Sequence, residues 1–418
     1  MSESRSNPTE AGETAAIVAR TSYGKLIAIL AARTRNVAMA EDALSEAFAA
    51  ALSKWPADGC PANPEAWLLT VARRKLIDDA RRRKTSDDYS DERRALDGAI
   101  DDALGTDAIP DRRLALMFAC AHPAIDAAIR TPLILQTVLG LKAAEIASVF
   151  LISPATMGQR LVRAKEKIRL AGIPFRVPEP GERRERLVDV LDAIYAAFSQ
   201  GFVVGGPDVD GAELVDEALF LGRVAAESAA DEPEALGLLA LMLHASARRN
   251  ARRSAENEFI PFADQDTTRW HRGRIDEAEA LIRRAAAFAR IGRYQLEAAI
   301  QSAHVHRRMT GRSNWTEIMN LYDLLHAITD SPVVVVNRAL ARSEAIGVAA
   351  GLLDLDSLAG DPRMHSYQPF WAARADLLGR SGNVEGARAA YSRAIGLQHD
   401  PASRRFLQAR EAALSAKS

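Results

Sequence analysis

Apolar residues follow a helical spacing on both sides of a short turn between Leu141 and Gly172. The first apolar run ends near Ile152, and Ser153-Pro154 is a typical helix N-cap with proline at the first helical position. Beyond the cap, apolar residues recur at intervals of three and four, which places them on one stripe of a second helix. They are Met157, Leu161, Ala164 and Ile168. This pattern predicts a helix-turn-helix.

The remaining surface of the second helix is predicted to be strongly basic. Glu166 is the only acid among residues that otherwise carry amide or cationic side chains, namely Gln159, Arg160, Arg163, Lys165, Lys167 and Arg169. The first turn of a recognition helix approaches base edges, and cations further along hold phosphates. We therefore predict that Thr156 and Gln159 lie near bases and that Arg163 and Lys167 lie near phosphates. A helical hairpin with a solvated basic face is the alternative interpretation.

A second pattern near the N-terminus, AEDALSEAFAAALSKW (residues 40–55), predicts a helix with an acidic face. Asp42 and Glu46 are four residues apart and share that face. The opposite side is predicted to be apolar, through Leu44, Phe48, Ala51, Leu52 and Trp55. A Pro/Gly-rich loop, PADGCPANP (56–64), precedes a basic helix predicted from Glu65 to Lys84. A basic helix beside an aromatic-bearing loop is typical of single-stranded DNA binding, while buried tryptophans with solvated arginines are the alternative.

The distribution of these patterns indicates an all-α protein of two or three domains. Strand signals are nearly absent from the 418 residues. Residues 85–111 are acidic and poor in large apolar side chains, which is typical of a flexible linker, and prolines after residue 173 interrupt any continuous helix. We therefore predict a domain at 1–84, an acidic linker at 85–111, a helix-turn-helix domain at 112–172, a Pro-rich linker at 173–184 and a helical extension at 185–418.

Charge and cysteine usage narrow the class of protein further. The chain has 54 basic and 55 acidic residues, so nucleic-acid binding must come from local clusters of charge. Cys60 and Cys120 lie far apart, which indicates a reducing compartment without a disulfide framework. The N-terminal residues have no hydrophobic signal segment, and no apolar run approaches the roughly 18 residues that span a bilayer. We expect a cytoplasmic protein with no membrane partner.

Polar clusters in the chain do not form a catalytic or metal-binding motif. His304 and His306 are two residues apart, so on a helix their side chains point in different directions. Other clusters also lack the partners that a site needs; they are Asp264, Asp266, Arg269, Trp270 and His271 in one segment, and Cys120 and His122 in another. We interpret these as structural polar residues and predict no enzyme activity, no cofactor and no metal site.

The order and size of these units resemble the two-domain core of the extracytoplasmic-function (ECF) group of the sigma-70 family. Three motifs carry the resemblance, in order: AEDALSEAF (40–48), NPEAWLLTVARRKLIDDARRR (63–83) and AEIASVFLISPATMGQRLVRAKEKIR (144–169). The resemblance implies an RNA polymerase sigma factor. Its sigma-2 domain would bind core polymerase and the melted minus-ten element, its sigma-4 domain would bind the duplex minus-thirty-five element, and its acidic linker would thread through polymerase between them.

The resemblance also implies three sets of site residues. Contact with the β′ clamp of core RNA polymerase falls on Asp42, Glu46 and Phe48. Capture of the minus-ten element falls on Asp58, Asn63, Trp67, Arg73, Arg74, Lys75, Asp78 and Arg81. Recognition of the minus-thirty-five element falls on Thr156, Gln159, Arg160, Arg163 and Lys167. The polymerase β flap is a further implied partner.

The long C-terminal remainder has the spacing of a tetratricopeptide repeat near its end. In the segment at 370–397 the matching positions are Ala375, Leu378, Gly382, Ala387, Tyr391 and Ala394, and the segment at 333–355 is similar to a degenerate copy. The layout resembles the ECF subgroup with a tetratricopeptide-like extension that takes over regulation, so a regulatory protein or ligand is expected to act on it. Two alternatives are a ligand-sensing helix-turn-helix repressor or activator that does not bind core polymerase, and an enzyme built on the extension.

Overall fold

The computed structural model describes residues 8–82, 111–150, 152–204 and 209–415. Throughout these residues the extended elements are limited to one isolated bridge, between Arg253 and Phe259, and the regular elements are helices. The all-α class predicted from the sequence is confirmed. The chain divides into two compact units, Met1–Ala225 and Ala226–Ser418, and each is described by itself. The predicted acidic linker, except for its last residue, lies outside the described residues.

The first unit contains nine described helices, the last of which ends just inside the second unit. They are α1 (Pro8–Thr34), α2 (Val37–Asp58), α3 (Pro64–Arg82), α4 (Arg113–Cys120), α5 (Ala127–Thr137), α6 (Ala143–Val149), α7 (Pro154–Leu170), α8 (Pro180–Val204) and α9 (Val209–Ser228). Helices α1, α2 and α3 pack on one another, and α5 contacts both α7 and α8. The sequence grouped residues 185–418 together, whereas α8 and most of α9 lie in the first unit.

Local capping and apolar spacing explain α2, with two departures from the prediction. Asn36 caps the helix by accepting a hydrogen bond from the Met39 backbone N–H. Leu52 is 56% exposed, although the sequence placed it on the apolar side. It follows the buried Leu44 by eight residues, which turns it by about 80° from the buried stripe. The helix also continues through Pro56 to Asp58, so the loop before α3 is shorter than predicted.

The predicted helix-turn-helix is present as α6 and α7. Ser153 caps α7, because its Oγ accepts a hydrogen bond from the Thr156 backbone N–H at 3.1 Å. The apolar stripe of α7 is buried as its spacing predicts, at Met157, Leu161, Ala164 and Ile168. Cys120 of α4 is also fully buried, as predicted, and burial raises the pKa of its thiol to about 12. These residues form the core beneath the candidate recognition helix.

The second unit is a succession of helices in which each contacts the next, as in a helical repeat array. They are α10 (Pro233–Ala247), α11 (Arg272–Ala286), α12 (Arg293–Thr310), α13 (Trp315–Thr329), α14 (Pro332–Ala345), α15 (Val348–Ser357), α16 (Gln368–Arg380), α17 (Val384–Leu397) and α18 (Pro401–Ser415). The predicted repeat is the pair α16 and α17. Ala375, Ala387 and Tyr391 are buried between its helices, and Gly382 has a φ of 86° in the turn.

Length and apolar composition decide whether any of the described helices meets what a membrane span requires. No single one is long and apolar enough to cross a bilayer. One bent pair near the N-terminus, Gly12–Ala19 with Thr21–Thr34, meets the length and composition test only when its parts are taken together. Most residues from Leu26 to Ala31 of that pair are buried in the core of the first unit, as expected for a core helix.

Candidate nucleic-acid interface

The second helix of the helix-turn-helix, α7, exposes a largely polar face, which also includes the exposed apolar side chains of Val162 and Leu170. Five side chains predicted to read DNA are all exposed on it: Thr156, Gln159, Arg160, Arg163 and Lys167. The N-terminus of α7 carries the positive end of the helix dipole, which adds to the attraction for phosphate. Arg169 is half exposed and forms an ion pair with Glu166 of the same helix. The face is therefore open to solvent, cationic and narrow enough for a major groove that is about 12 Å wide.

Lys165 does not belong to this exposed face, which corrects the sequence prediction. Its side chain is only 10% exposed, and its Nζ lies 2.6 Å from a carboxylate oxygen of Glu41 in α2. Burial raises the pKa of the Glu41 carboxyl, and the neighbouring Lys165 ammonium opposes that rise. Lys165 lies next to the buried Ala164, so it points from the edge of the apolar stripe toward α2. The ion pair joins the predicted sigma-2 and sigma-4 domains.

The same two domains also meet through α1. A Cβ atom built on Gly24 would lie 1.9 Å from the backbone oxygen of Val138. The backbones of α1 and of the segment at Val138 therefore approach so closely that only glycine fits at position 24. Tyr23 lies beside Gly140, and burial together with the Glu41 charge raises the pKa of its phenol. Sequence patterns did not reveal this interface. The one signal of this interface in the sequence is Gly24, because a glycine inside a long helix often marks close packing against another segment.

The acidic face of α2 is placed as the sequence predicts. Asp42 and Glu46 are both exposed, and Phe48, which lies toward the other side of the helix, is half-buried. Glu46 forms an ion pair with Lys75 of α3, whose Nζ lies 2.7 Å from a Glu46 carboxylate oxygen. The same Nζ lies 3.6 Å from a carboxylate oxygen of Asp79. Lys75 and Glu46 were predicted to contact different partners. The structure brings them together on adjacent helices, so a change at one alters the charge at the other.

The basic helix α3 presents some of its predicted minus-ten residues and uses others structurally. Trp67 is half-buried and packs edge-on against Trp55, with 5.5 Å between the ring centroids. Because Trp55 is fully buried, Trp67 is the one of these two tryptophans with solvent-accessible surface. Asn63 caps α3 through a hydrogen bond from the Ala66 backbone N–H to its Oδ1. Asp58, Arg74 and Asp78 are exposed, Arg73 is half-buried, and the Arg81 side chain lies outside the described residues.

Arg113 joins α4 to the start of the extension and was not predicted from the sequence. It is 6% exposed and donates hydrogen bonds to Asp111, the closest at 2.6 Å. It also forms an ion pair with Glu217 of α9, and its guanidinium carbon lies 4.7 Å from the centroid of the Phe220 ring. A second bridge runs from Arg130 to α8. Arg113 is therefore the centre of a buried polar junction within the first unit.

The polar clusters noted in the extension have structural roles where their contacts are described. Asp266 caps a short 3₁₀ helix by accepting from the Thr268 backbone N–H at 2.9 Å. His271 caps α11 by accepting from the Arg274 backbone N–H at 3.2 Å. Within the described ranges no group of three or more His, Cys, Asp and Glu side chains is placed to hold a metal ion.

This geometry defines a class of helical DNA-binding protein in which a basic helix with an adjacent acidic helix is followed by a helix-turn-helix. Comparison with known proteins agrees: the model of sigma-70 region 2 matches residues 18–86, and that of sigma-70 region 4 matches 123–168. A family of unknown function (DUF6596) matches 186–286. An uncharacterized protein of Rhizobium meliloti (strain 1021) is 38% identical over 373 residues, 87% of each chain. No solved structure matches the chain.

The chain belongs to the sigma-70 family of RNA polymerase sigma factors, as an ECF-type member with a long C-terminal helical extension. The similarity to the Rhizobium meliloti protein spans 87% of this chain and therefore includes most of the extension. The long extension is therefore shared with that relative and is not particular to this chain.

Replacing Arg160 by alanine is expected to weaken binding at the minus-thirty-five element. Arg160 is exposed on the first half of α7, where a bidentate contact to a base is worth about 1–3 kcal/mol. We expect promoter affinity of the holoenzyme to fall by about ten- to a hundredfold in a gel-shift or anisotropy titration. Arg176→Ala, an exposed arginine beyond α7, is the matched control. An unchanged affinity and footprint for Arg160→Ala would reject the assignment.

Proposed function

We propose that this protein binds core RNA polymerase and directs initiation at specific promoters, which it contacts both as duplex and as melted DNA. One observation carries the proposal: the five residues predicted to read the minus-thirty-five element all lie on the exposed face of α7. A recognition helix needs such a face, because base edges are reached only by side chains free of other contacts. We further propose that the protein acts in the cytoplasm, where these partners are found.

Two surfaces of the first unit are proposed to contact polymerase. The acidic face of α2, through Asp42, Glu46 and Phe48, would bind the β′ clamp. Exposed carboxylates there favour a cationic partner and accelerate association, while the half-buried Phe48 supplies apolar contact. The helix-turn-helix domain would contact the β flap. The two surfaces lie on different domains, so polymerase would hold the protein at two points.

The basic helix α3 is proposed to hold the melted minus-ten element. Trp67 has the accessible aromatic surface on which an unpaired base can stack, and Arg74 is exposed on the same helix. Unpaired bases also offer hydrogen-bonding edges that are hidden in a duplex. Asn63 retains its side-chain amide nitrogen for such a contact, since its Oδ1 caps the helix.

We propose that the described packing of α2 against α7 is a resting arrangement that opens on polymerase. The minus-thirty-five and minus-ten elements are roughly 25 base pairs apart, or about 85 Å at roughly 3.4 Å per pair. Lys165 of α7 and Glu41 of α2 are in direct contact. One chain cannot reach both elements while its two domains are packed together. Separation must therefore break the Lys165–Glu41 pair and the contact at Gly24.

The extension is proposed to regulate this opening. Its first helices hold the helix-turn-helix domain through two ion pairs, Arg130 with Asp189 at 2.9 Å and Arg113 with Glu217. Both pairs are largely buried, so their loss would leave charges without partners. A regulatory protein or ligand that acts on the extension could change the free energy of the packed arrangement through these helices.

Replacing Gly24 by alanine is expected to loosen the packed arrangement. The added Cβ would lie 1.9 Å from the Val138 backbone oxygen, and overpacking of this kind costs about 1–3 kcal/mol. If the two domains must separate on polymerase, the variant should bind core RNA polymerase about five- to a hundredfold more tightly in fluorescence anisotropy. Gly12→Ala in the same helix, which meets no neighbouring atom, is the control. Equal binding by both folded variants would contradict the proposed opening.

The proposed function is tested by transcription in vitro from a genomic DNA library with purified core RNA polymerase. The full chain is compared with a chain that ends at Ser228, because a cut before α8 would remove Asp189 and Glu217 from their buried partners. Initiation at a small set of discrete sites supports a sigma factor, and the difference between the chains gives the sign of regulation. If the chain neither bound core polymerase nor started transcripts, a ligand-sensing DNA-binding regulator would be the better assignment.

A further inference from the structure

Two arginines and three rings form a continuous stack in the second unit, at the junction of α10, α12 and α13. The guanidinium carbon of Arg248 lies 4.7 Å from the centroid of the Phe262 ring, and Phe262 packs edge-on against His304 at 5.6 Å. His304 packs in turn against Trp315 at 5.7 Å, and Arg307 lies 4.2 Å from that indole. We call these five residues the arginine stack. Arg248 lies at one end of the stack and Arg307 at the other, and each makes a cation–π contact with the terminal ring.

A third cation, Arg308, follows directly in α12. It donates a hydrogen bond to the Gln265 backbone oxygen at 2.9 Å, and Arg248 donates to the side chain of Gln301 at 2.7 Å. These acceptors are neutral. Over the described parts of the chain, none of Arg248, Arg307 and Arg308 forms an ion pair with a carboxylate. Three partly buried cations therefore lie along one row of side chains without a bound counter-charge, which is unfavourable unless an anion joins them.

The pKa values of the cluster follow from this uncompensated charge. Burial lowers the pKa of Arg248 to about 10. Burial and then the Arg308 charge lower the pKa of Arg307, and the attraction of Glu344 is weaker than both. Burial, Arg307 and Arg248 lower the pKa of His304 to about 4, so its ring is neutral at pH 7. The cluster is thus cationic through its arginines alone.

Buried polar atoms without hydrogen-bond partners surround the stack. They belong to residues of the stack and of the segments beside it, and are Nδ1 of His304, Nε of Arg307, Nε of Arg308, Nε1 of Trp270, Oε1 of Gln265 and Oδ1 of Asn314. Trp270 packs against Phe262 at 5.8 Å, so its indole belongs to the same cluster. Buried polar atoms nearly always have a partner in a folded protein. Several of them in one place, most of them nitrogen, indicate a ligand that accepts hydrogen bonds.

We propose that the arginine stack, together with Arg308, binds a small ligand that carries more than one phosphate or carboxylate group, because Arg248 and Arg307 lie at opposite ends of the row of rings. Guanidinium groups match both anions because their planar donors bind two oxygens at once. The burial of Arg248 favours a compact ligand over a nucleic-acid backbone, which is held by exposed cations. The proposal concerns the second unit alone, and it holds whether or not the chain acts as a sigma factor.

The full-length protein is titrated with inorganic phosphate, pyrophosphate and citrate by isothermal titration calorimetry, at constant ionic strength. We expect saturable binding of pyrophosphate or citrate, and weaker binding of inorganic phosphate, which offers a single anionic group. Arg248→Gln and Arg307→Gln should each weaken it about tenfold or more, because a charge-assisted pair is lost. Arg363→Gln is the matched control, since Arg363 lies in the same unit, is exposed and pairs with Asp361. Its affinity should stay within about twofold of the parent protein.

Three results would overturn the proposal. One is the absence of saturable binding by both pyrophosphate and citrate, and another is equal binding by the parent protein and both folded stack variants. The third is binding of a short DNA oligonucleotide that depends on Arg248 and Arg307 when the small anions do not bind. Circular dichroism establishes that each variant is folded. Arg307→Gln keeps the test decisive if Arg248→Gln fails to fold, because Arg307 is the less buried of the two.

Discussion

Reversing the charge at Asp42 and Glu46 together is expected to remove binding to core RNA polymerase while the protein stays folded. Both carboxylates are exposed on α2, so lysine fits at either position without a steric cost. Close charge pairs across an interface contribute about 1.5–7 kcal/mol, and a reversal replaces attraction by repulsion. We expect affinity for the polymerase core to fall at least about a hundredfold, measured by anisotropy of the labelled protein or by co-elution.

The design must separate polymerase contact from changes inside the protein. Glu46→Lys also breaks the ion pair with Lys75, so Asp42→Lys alone is the cleaner variant. Glu185→Lys reverses another exposed carboxylate in the first unit and is the matched control. Normal binding by the folded Asp42→Lys, Glu46→Lys protein would reject the docking assignment. A loss of binding by Glu185→Lys as well would indicate a general effect of net charge.

Arg113→Ala is expected to destabilise the first unit by about 3–5 kcal/mol, because it removes one partner from a buried ion-pair network. The change leaves the Asp111 and Glu217 carboxylates without their cation and removes the contact with Phe220. Chemical denaturation followed by circular dichroism measures the loss. Arg112→Ala is the matched control, since the adjacent arginine is exposed and makes no side-chain cap, and it should change stability by less than about 0.5 kcal/mol.

The pH dependence of this destabilisation has a defined sign. Burial already raises the pKa of Glu217 above its ordinary value of 4.5, and Arg113 opposes that rise. Without Arg113 the folded-state pKa rises further, so the ionised form costs more when folded. The deficit of Arg113→Ala should be largest above the raised folded-state pKa of Glu217 and should shrink as the pH falls through that pKa and the carboxyl is protonated. An equal deficit at pH 4 and pH 8, or none, would contradict the network.

The junction at Arg113 also affects where the protein should be divided. The sequence favoured a boundary after the helix-turn-helix, near residue 172, because prolines follow it. The structure instead places α8 and most of α9 in the first unit, where they carry Asp189 and Glu217. Differences between a chain cut at Gly172 and the full chain would mix lost regulation with lost stability. Ending the chain at Ser228 retains both ion pairs and avoids this ambiguity.

The sequence by itself determined the helical class, the helix-turn-helix and the faces that α2 and α7 expose. Ser153 and Pro154 mark the start of α7, and apolar spacing of three and four residues placed Met157 and its neighbours inward. Caps and periodicity act over one or two turns, so they are legible in a linear sequence. The motifs of sigma-70 regions 2 and 4 are local in the same sense, and the family comparisons match both.

Only the tertiary structure decided which charged residues are buried and what they contact. The sequence places Lys165 with the DNA-facing cations. In the structure its side chain instead bonds to Glu41, 124 positions away, and lies between the two packed domains. Arg113 finds Glu217 across 104 positions, and the arginine stack draws Arg248, Phe262 and Trp315 from separate elements. Periodicity states which face of a helix is apolar, but it does not encode which distant segment covers the polar edge of that face. Because a buried charge is tolerated only beside its partner, that pairing depends on how the whole chain packs.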